Sequence, residues 1–226
     1  MYFSLIAPQE GSERDAAYDR VGAPYADHQW LWQLFPAPPG TTRDFLFRRM
    51  DAGGLPKYYV VSKRAPAVST GAWVVRTRPY APRLAAGDRL SFELRANPVV
   101  TSSTDGRRSR HDVVMQRKKL LLRERGHSRW NDWVGSDKPA LYDLVRNTCG
   151  EWLELRAGGR GFSIDSSSLN VAGYEQHREA GQLTFSSVDF TGTLTVLDPE
   201  IFATTLFEGI GHAKAFGCGL LLVRPL

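Results

Sequence analysis

An α+β fold made of two successive β-α-β-β-α-β groups is what this sequence predicts. Three observations carry it: period-two runs of apolar and β-branched residues that mark strands, two segments with clear helix start and stop signals, and an element order that runs once to about residue 80 and then restarts. Groups of that order are ferredoxin-like, or RNA-recognition-like, halves. No sequence repeat supports a duplication, so the reading rests on element order alone.

Element by element, "YFSLIAP" (2–8) reads as a buried strand. "PYADHQWLWQLF" (24–35) reads as a helix with Pro24 in its first turn, stopped by "PAPPGT". "DFLFRRM" (44–50) and "KYYVVSKR" (57–64) are strands joined by the turn "DAGGLP", and "WVVRTRPY" (73–80) is another. The second helix of this half is weak. "APRLAAGD" reads as a linker, which gives an N-terminal domain over 1–86 and a C-terminal domain over 87–226.

The second half opens on "RLSFELRANPVV" (89–100), where Leu90, Phe92, Leu94 and Ala96 share one face. A helix is expected around 137–148 and strands near 161–171 and 183–197. The last helix starts at "DPEIFATTLFEG", with Asp198 as N-cap, Pro199 in the first helical position and Gly209 just past the end. "GLLLVRPL" closes as a strand.

Composition narrows the function class. The chain has 226 residues, 42% of them hydrophobic, which argues against disorder. No run of 18 apolar residues is present, so no membrane helix is expected. "MYFSLIAP" lacks the charged flank and apolar length of a signal peptide. The two cysteines, Cys149 and Cys218, form no disulfide framework, and a cytoplasmic protein with reduced thiols is expected. The net charge of +5 is unevenly spread. Residues 107–129 hold nine Lys/Arg and two acids, so the remainder is slightly acidic. Such segregation suits a polyanion, with Arg107, Arg108, Arg110, Arg117, Lys118 and Lys119 as candidate RNA contacts.

The five histidines show no metal spacing, and there is no CxxC, so no metal site is expected. Tyr25, His28 and Trp32 fall on one side of their helix, away from Trp30 and Leu34. A histidine there reads as a general acid or base, oriented by the tyrosine, or as a partly buried packing residue. His111 and His127 belong to the basic surface, and His177 falls in an expected turn.

"GIGHAKAFGCGLL" (209–221) sets Gly209, Gly211, Gly217 and Gly219 around His212 and Lys214. It is not a P-loop, and it precedes a strand rather than a helix, so no nucleotide cofactor is expected. Exposed backbone N–H groups near Lys214 suit a polynucleotide backbone.

Four blocks then carry a resemblance: "YADHQWLWQLFP" followed by "RDFLFR"; "VST" at 68–70; "LRANPV"; and "GIGHAKAFGCGLL" with its terminal "PL". Together they resemble the CasE family, the repeat-processing endoribonucleases of Cascade-type (subtype I-E) CRISPR systems. The resemblance covers nearly the whole chain. It implies two tandem ferredoxin-like halves and metal-independent cleavage of precursor CRISPR RNA at the base of the repeat hairpin. In that reaction a ribose 2′-OH attacks the adjacent phosphate, leaving a 2′,3′-cyclic phosphate and a 5′-OH. It further implies that the RNA product is retained and that other Cascade subunits are partners. His28 matches the family's catalytic histidine in HQ-x-LW-x-LFP, and Tyr25 its tyrosine three residues earlier. Whether His28 is base or acid stays open at this stage, and the other charged groups of the reaction are sought among Lys57, Lys63 and Lys214. His212 departs from the family pattern, in which proline is frequent there. The alternative reading is an RNA-hairpin-binding subunit that does not cut.

Overall fold

The computed structural model describes residues 1–19, 24–67, 69–104, 107–178 and 184–226. The chain folds as two compact units, one of Met1–Leu84 with Ala203–Leu221 and the other of Ala85–Phe202 with Leu222–Leu226.

The first unit contains β1 (Tyr2–Pro8), α1 (Glu13–Asp19), α2 (Pro24–Trp32), β2 (Phe45–Ala52), β3 (Leu55–Ser62), β4 (Ser69–Thr70) and β5 (Trp73–Pro79). Its sheet runs β2-β3-β1-β5-β4. β1 is central and antiparallel to both β3 and β5, with Leu5 opposite Tyr59 and Arg76. Alternation along these strands sends Ile6, Phe47, Tyr58, Val60 and Trp73 into one core with Leu31 and Leu34. Between β3 and β5 only β4 is formed among the described residues, so the second helix expected to be weak is absent there. α1 carried no clear sequence signal. α2 stops at Trp32; Leu34 and Phe35 continue it as a tighter turn, donating to Leu31 and Trp32 carbonyls at 3.0 Å.

The second unit contains β6 (Arg89–Ala96), β7 (Val99–Thr104), β8 (Arg107–Asp112), α3 (Val113–Glu124), α4 (Leu141–Ala157), β9 (Phe162–Ile164), β10 (Asn170–Arg178), β11 (Thr184–Val196), α5 (Pro199–Glu208, whose last residues belong to the first unit) and β12 (Leu221–Pro225). The main sheet runs β10-β11-β6-β12, with β9 on β11. Its strand order repeats that of β2-β3-β1-β5, which makes the chain a tandem of ferredoxin-like halves.

Several expectations needed revision. The 89–100 strand is two strands, broken at Asn97 and Pro98, where the Asn97 amide donates to the Ser186 carbonyl at 2.7 Å. The helix expected at 137–148 runs from Leu141 to Ala157. The 161–171 strand is interrupted after β9, because Asp165 accepts from the Ser167 N–H (3.1 Å) and hydroxyl (2.6 Å) and turns the chain. His177 lies in β10 rather than a turn. Asp198 does cap α5, accepting from the Glu200 and Ile201 N–H groups at 3.0 Å. Both cysteines are buried and unbridged, and burial, with a smaller contribution from Asp112, pushes the Cys149 thiol up to about 12.

Candidate active site

α2 is fixed to the sheet on two sides. Trp30 packs on Tyr58 and Trp73, with ring centroids 5.2 and 4.7 Å away. Asp27, buried, accepts from the Tyr58 hydroxyl of β3 at 2.6 Å and from the Arg49 guanidinium of β2 at 3.3 Å. The next residue along the helix is His28, so these contacts also set the direction of its side chain.

His28 is half-buried, neither sealed in the core nor free in solvent. The Trp32 indole N–H, one turn on, donates to its Nε2 at 3.2 Å, and the rings of Trp32 and Phe45 flank it at 6.2 and 6.0 Å. An Nε2 that accepts carries no proton, so this contact selects the neutral ring protonated on Nδ1. Burial, and secondarily the positive charge of Arg43, hold the imidazole below its ordinary pKa of 6.5. Arg43 is itself half-buried just ahead of β2. Its neighbour Asp44 takes two hydrogen bonds from Arg64, at 2.7 and 3.1 Å, and Arg64 also donates to the Phe35 and Pro36 carbonyls. This network ties the end of the α2 segment to the start of β2. The arrangement is an imidazole kept neutral by burial, with an arginine charge acting on it, and so able to accept a proton.

The glycine-rich segment lies in the same unit. Its 3-10 turn, Lys214–Phe216, packs against α2 and β2. Two of its glycines answer to close backbone packing. Gly209 has φ +75°, and a Cβ there would sit 2.6 Å from the Gly219 carbonyl oxygen and 2.8 Å from Leu46 Cδ1. Gly217 is buried, and a Cβ would press to 3.2 Å of the Phe47 ring. Gly219 is likewise buried, its carbonyl accepting from the Ile210 N–H at 2.9 Å, while Gly211 is half-exposed and His212 exposed. Of the three lysines considered for charge stabilisation, Lys214 belongs to the turn packed on α2 and β2, Lys57 is on β3, which also packs on α2 through Tyr58, and Lys63 follows β3.

The basic residues belong to the second unit. They are not a structureless insertion but a hairpin, β7–β8, leading into α3. Arg108 and Arg110 are exposed two residues apart on β8, hence on one face, and Arg117 and Lys119 are exposed on α3. Lys118 is half-buried. Asp112 joins hairpin to helix: it caps α3 by accepting from the Met115 N–H at 2.8 Å, and it accepts from the Tyr174 hydroxyl at 3.0 Å and from Ser186. Burial, then the Asp112 charge, raises the Tyr174 phenol well above its ordinary range.

The structure therefore brings His28, the Lys214 turn and Arg43 to one unit and gathers the arginines and lysines of 107–119 on another. The side chains of Tyr25 and Arg107, and residue 68 of the "VST" block, lie outside the described residues. Arg43, Asp27 and Asp112 were not singled out from sequence; Arg43 and Asp27 stand in quoted blocks and Asp112 caps α3 three residues on, but the side chains that reach Asp27 and Asp112 (Arg49, Tyr58, Tyr174 and Ser186) lie far away in the chain. Among the described residues no three His, Cys, Asp or Glu side chains cluster to hold a metal ion, and no helix is long and apolar enough to cross a membrane.

Comparison with known proteins adds a separate line. A family model described as "CRISPR associated protein" matches residues 1–225. The CRISPR system Cascade subunit CasE of Escherichia coli (strain K12) is 28% identical over 230 residues, covering 100% of both chains. The CRISPR-associated endoribonuclease Cse3 of Thermus thermophilus is 32% identical over 157 residues, 68% of this chain and 64% of the relative. A solved structure of Thermus thermophilus Cse3, bound to an RNA representing a pre-cleavage complex, matches with a TM-score of 0.71 at 25% identity over 99% of each chain.

Proposed function

The chain belongs to the CRISPR-associated protein family matched across residues 1–225, and from that premise we propose that it is an endoribonuclease that cuts precursor CRISPR RNA at the base of the repeat hairpin. Its relatives support this reading: one is named an endoribonuclease, its solved structure holds RNA, and another is named a Cascade subunit.

The observation that carries the proposal is His28, half-exposed, held neutral by burial and Arg43, and hydrogen-bonded through Nε2 to Trp32. We assign it the role of general base. A 2′-OH that displaces the indole N–H meets the Nε2 lone pair that Trp32 now occupies. Its proton passes to His28 as the 2′-oxygen bonds to phosphorus. The P–O5′ bond breaks, the leaving oxygen takes up a proton from water, His28 returns its proton to solvent, and the products are a 2′,3′-cyclic phosphate and a 5′-OH. No metal or nucleotide takes part in the bond changes. Arg43 and Lys214 supply positive charge as negative charge grows on the phosphoryl oxygens. The exposed arginines and lysines of β8 and α3 grip the stem phosphates, and the product stays bound for assembly with other Cascade subunits in the cytoplasm.

The test is single-turnover cleavage of the cognate repeat RNA in EDTA. Wild type cuts; His28→Ala slows the cut by about 10²- to 10⁴-fold, as expected for loss of a general base, while RNA affinity changes little. A 2′-deoxy substitution at the scissile nucleotide abolishes the cut. Tight binding of intact repeat RNA by the wild type would mark a binding subunit that does not cleave.

A further inference from the structure

Two tryptophans follow α3, and the helix sets a cation over each. The Arg125 guanidinium lies 5.7 Å from the Trp133 ring centroid, and the Lys118 ammonium lies 5.2 Å from that of Trp130. The two indoles pack edge to face at 5.6 Å, so they form one surface. The charges on that surface are treated differently. Arg125 is balanced by Asp137 at 3.0 Å, and Asp137 is held in turn by the Trp133 indole N–H at 3.1 Å. Trp130 instead takes a second cation, Lys138, at 5.3 Å. Among the described residues neither Lys118 nor Lys138 is paired with a carboxylate.

The carboxylate that does act on Lys118 is Asp112, whose oxygens are already taken by the Met115 N–H, Tyr174 and Ser186. Burial lowers the Lys118 ammonium most, Asp112 works in the opposite direction, and the Lys138 charge lowers it further. Each ammonium is modestly stabilised by the indole face, but the two like charges held on one ring repel each other. The pair becomes favourable when an anion settles on it, and the indole then serves to fix the two flexible stems.

We propose that Lys118, Trp130 and Lys138 form a clamp for the RNA phosphate backbone, extending the basic surface of α3 to the segment that precedes α4. This rests on the reading of the chain as an RNA-binding protein. It adds Trp130 and Lys138, which lie outside the basic stretch or have no charge of their own, to the groups that hold the transcript.

Repeat-RNA affinity is measured against salt for wild type, Lys138→Ala, Lys138→Glu and Lys138→Arg. Loss of one phosphate contact lowers the log-log salt slope by about one and the affinity by roughly five-fold near 0.15 M salt. Lys138→Ala shows both effects, Lys138→Glu weakens binding further, and Lys138→Arg restores wild-type values. In parallel, the Trp130 indole N–H signal, identified by its loss in Trp130→Phe, is followed by NMR as intact RNA is added to His28→Ala protein. It shifts, and adding Lys138→Ala cancels the shift. An unchanged slope and affinity in Lys138→Ala and Lys138→Glu, or an indole signal indifferent to RNA, overturns the clamp. If wild type fails to cut repeat RNA while the indole signal still responds through Lys138, the clamp stands and the endoribonuclease reading falls.

Discussion

Replacing Asp27 by alanine tests whether α2, which carries the proposed base His28, is held as the structure describes. Asp27 is 5% exposed and Tyr58 fully buried, and the phenol donates to the carboxylate at 2.6 Å. Withdrawing that acceptor from a buried hydroxyl costs about 1–3 kcal/mol. The ion pair to Arg49 is weaker, because 28% of the arginine side chain faces solvent, and contributes about 0.5–1 kcal/mol. Asp27→Ala thus destabilises its unit by about 2–4 kcal/mol. Asp27→Asn, which keeps an oxygen for Tyr58 and loses only the charge, costs about 1 kcal/mol. Urea unfolding followed by tryptophan fluorescence reads the difference, since Trp30 and Trp73 lie in the same core. The decisive step is a double-mutant cycle with Tyr58→Phe, which removes the hydroxyl. The two changes should couple by at least about 1 kcal/mol. Additive effects, or an Asp27→Ala no worse than Asp27→Asn, would refute the anchoring role.

Further outcomes follow from the same geometry. The His28 pKa is lowered by burial and then by Arg43. Arg43→Gln removes the second cause, so the acid limb of the kcat/KM profile moves to higher pH; an unmoved limb separates Arg43 from His28. For stability the sign is fixed by linkage. As pH falls below the ordinary value of 6.5 the unfolded chain protonates first, so the contribution of His28 is full above that value and is lost as pH drops through the folded pKa. Gly209→Ala, with φ +75° and a Cβ 2.6 Å from the Gly219 carbonyl, costs more than about 2 kcal/mol in thermal unfolding, whereas Gly54→Ala, also at positive φ but with open space, costs about 1 kcal/mol. Arg108→Gln with Arg110→Gln lowers the salt slope of repeat-RNA binding by about two, and an unchanged slope excludes the hairpin as a phosphate contact.

The elements most legible in the sequence are those whose determinants are local. Asp198, Pro199 and Gly209 delimit α5 within a dozen residues, and the alternation of Leu90, Phe92 and Leu94 marks β6 without any partner. The shared face of His28 and Trp32 is likewise a matter of helical spacing, and the structure joins them by a hydrogen bond. α3 lies within a run read for its charge, although Asp112 offers a local start signal by accepting from the Met115 N–H three residues on; its buried residues are few, Val113 and Val114 at one end. The break after Ala96 falls on Asn97-Pro98, a dipeptide that interrupts a strand locally, but the Asn97 amide that fixes it reaches Ser186, almost ninety positions away.

The same distinction separates the parts of the candidate site. A histidine one helical turn from a tryptophan is visible in the sequence, but its proton affinity is not. That depends on Phe45 covering one side of the ring and on Arg43 standing nearby, and both arrive with β2 after a proline-rich turn. Asp44, the residue after Arg43, is paired with Arg64, and α2 is held by Asp27 against Tyr58 and Arg49. Each of these restraints sits beside a residue proposed to act: Asp44 follows Arg43, and Asp27 precedes His28. A base works best when its pKa is matched to its task and its lone pair is already aimed. The sheet supplies the aim through neighbours that need touch no substrate, which is why disrupting Asp27 or Arg64 should slow cleavage while leaving the phosphate grip of the second unit intact.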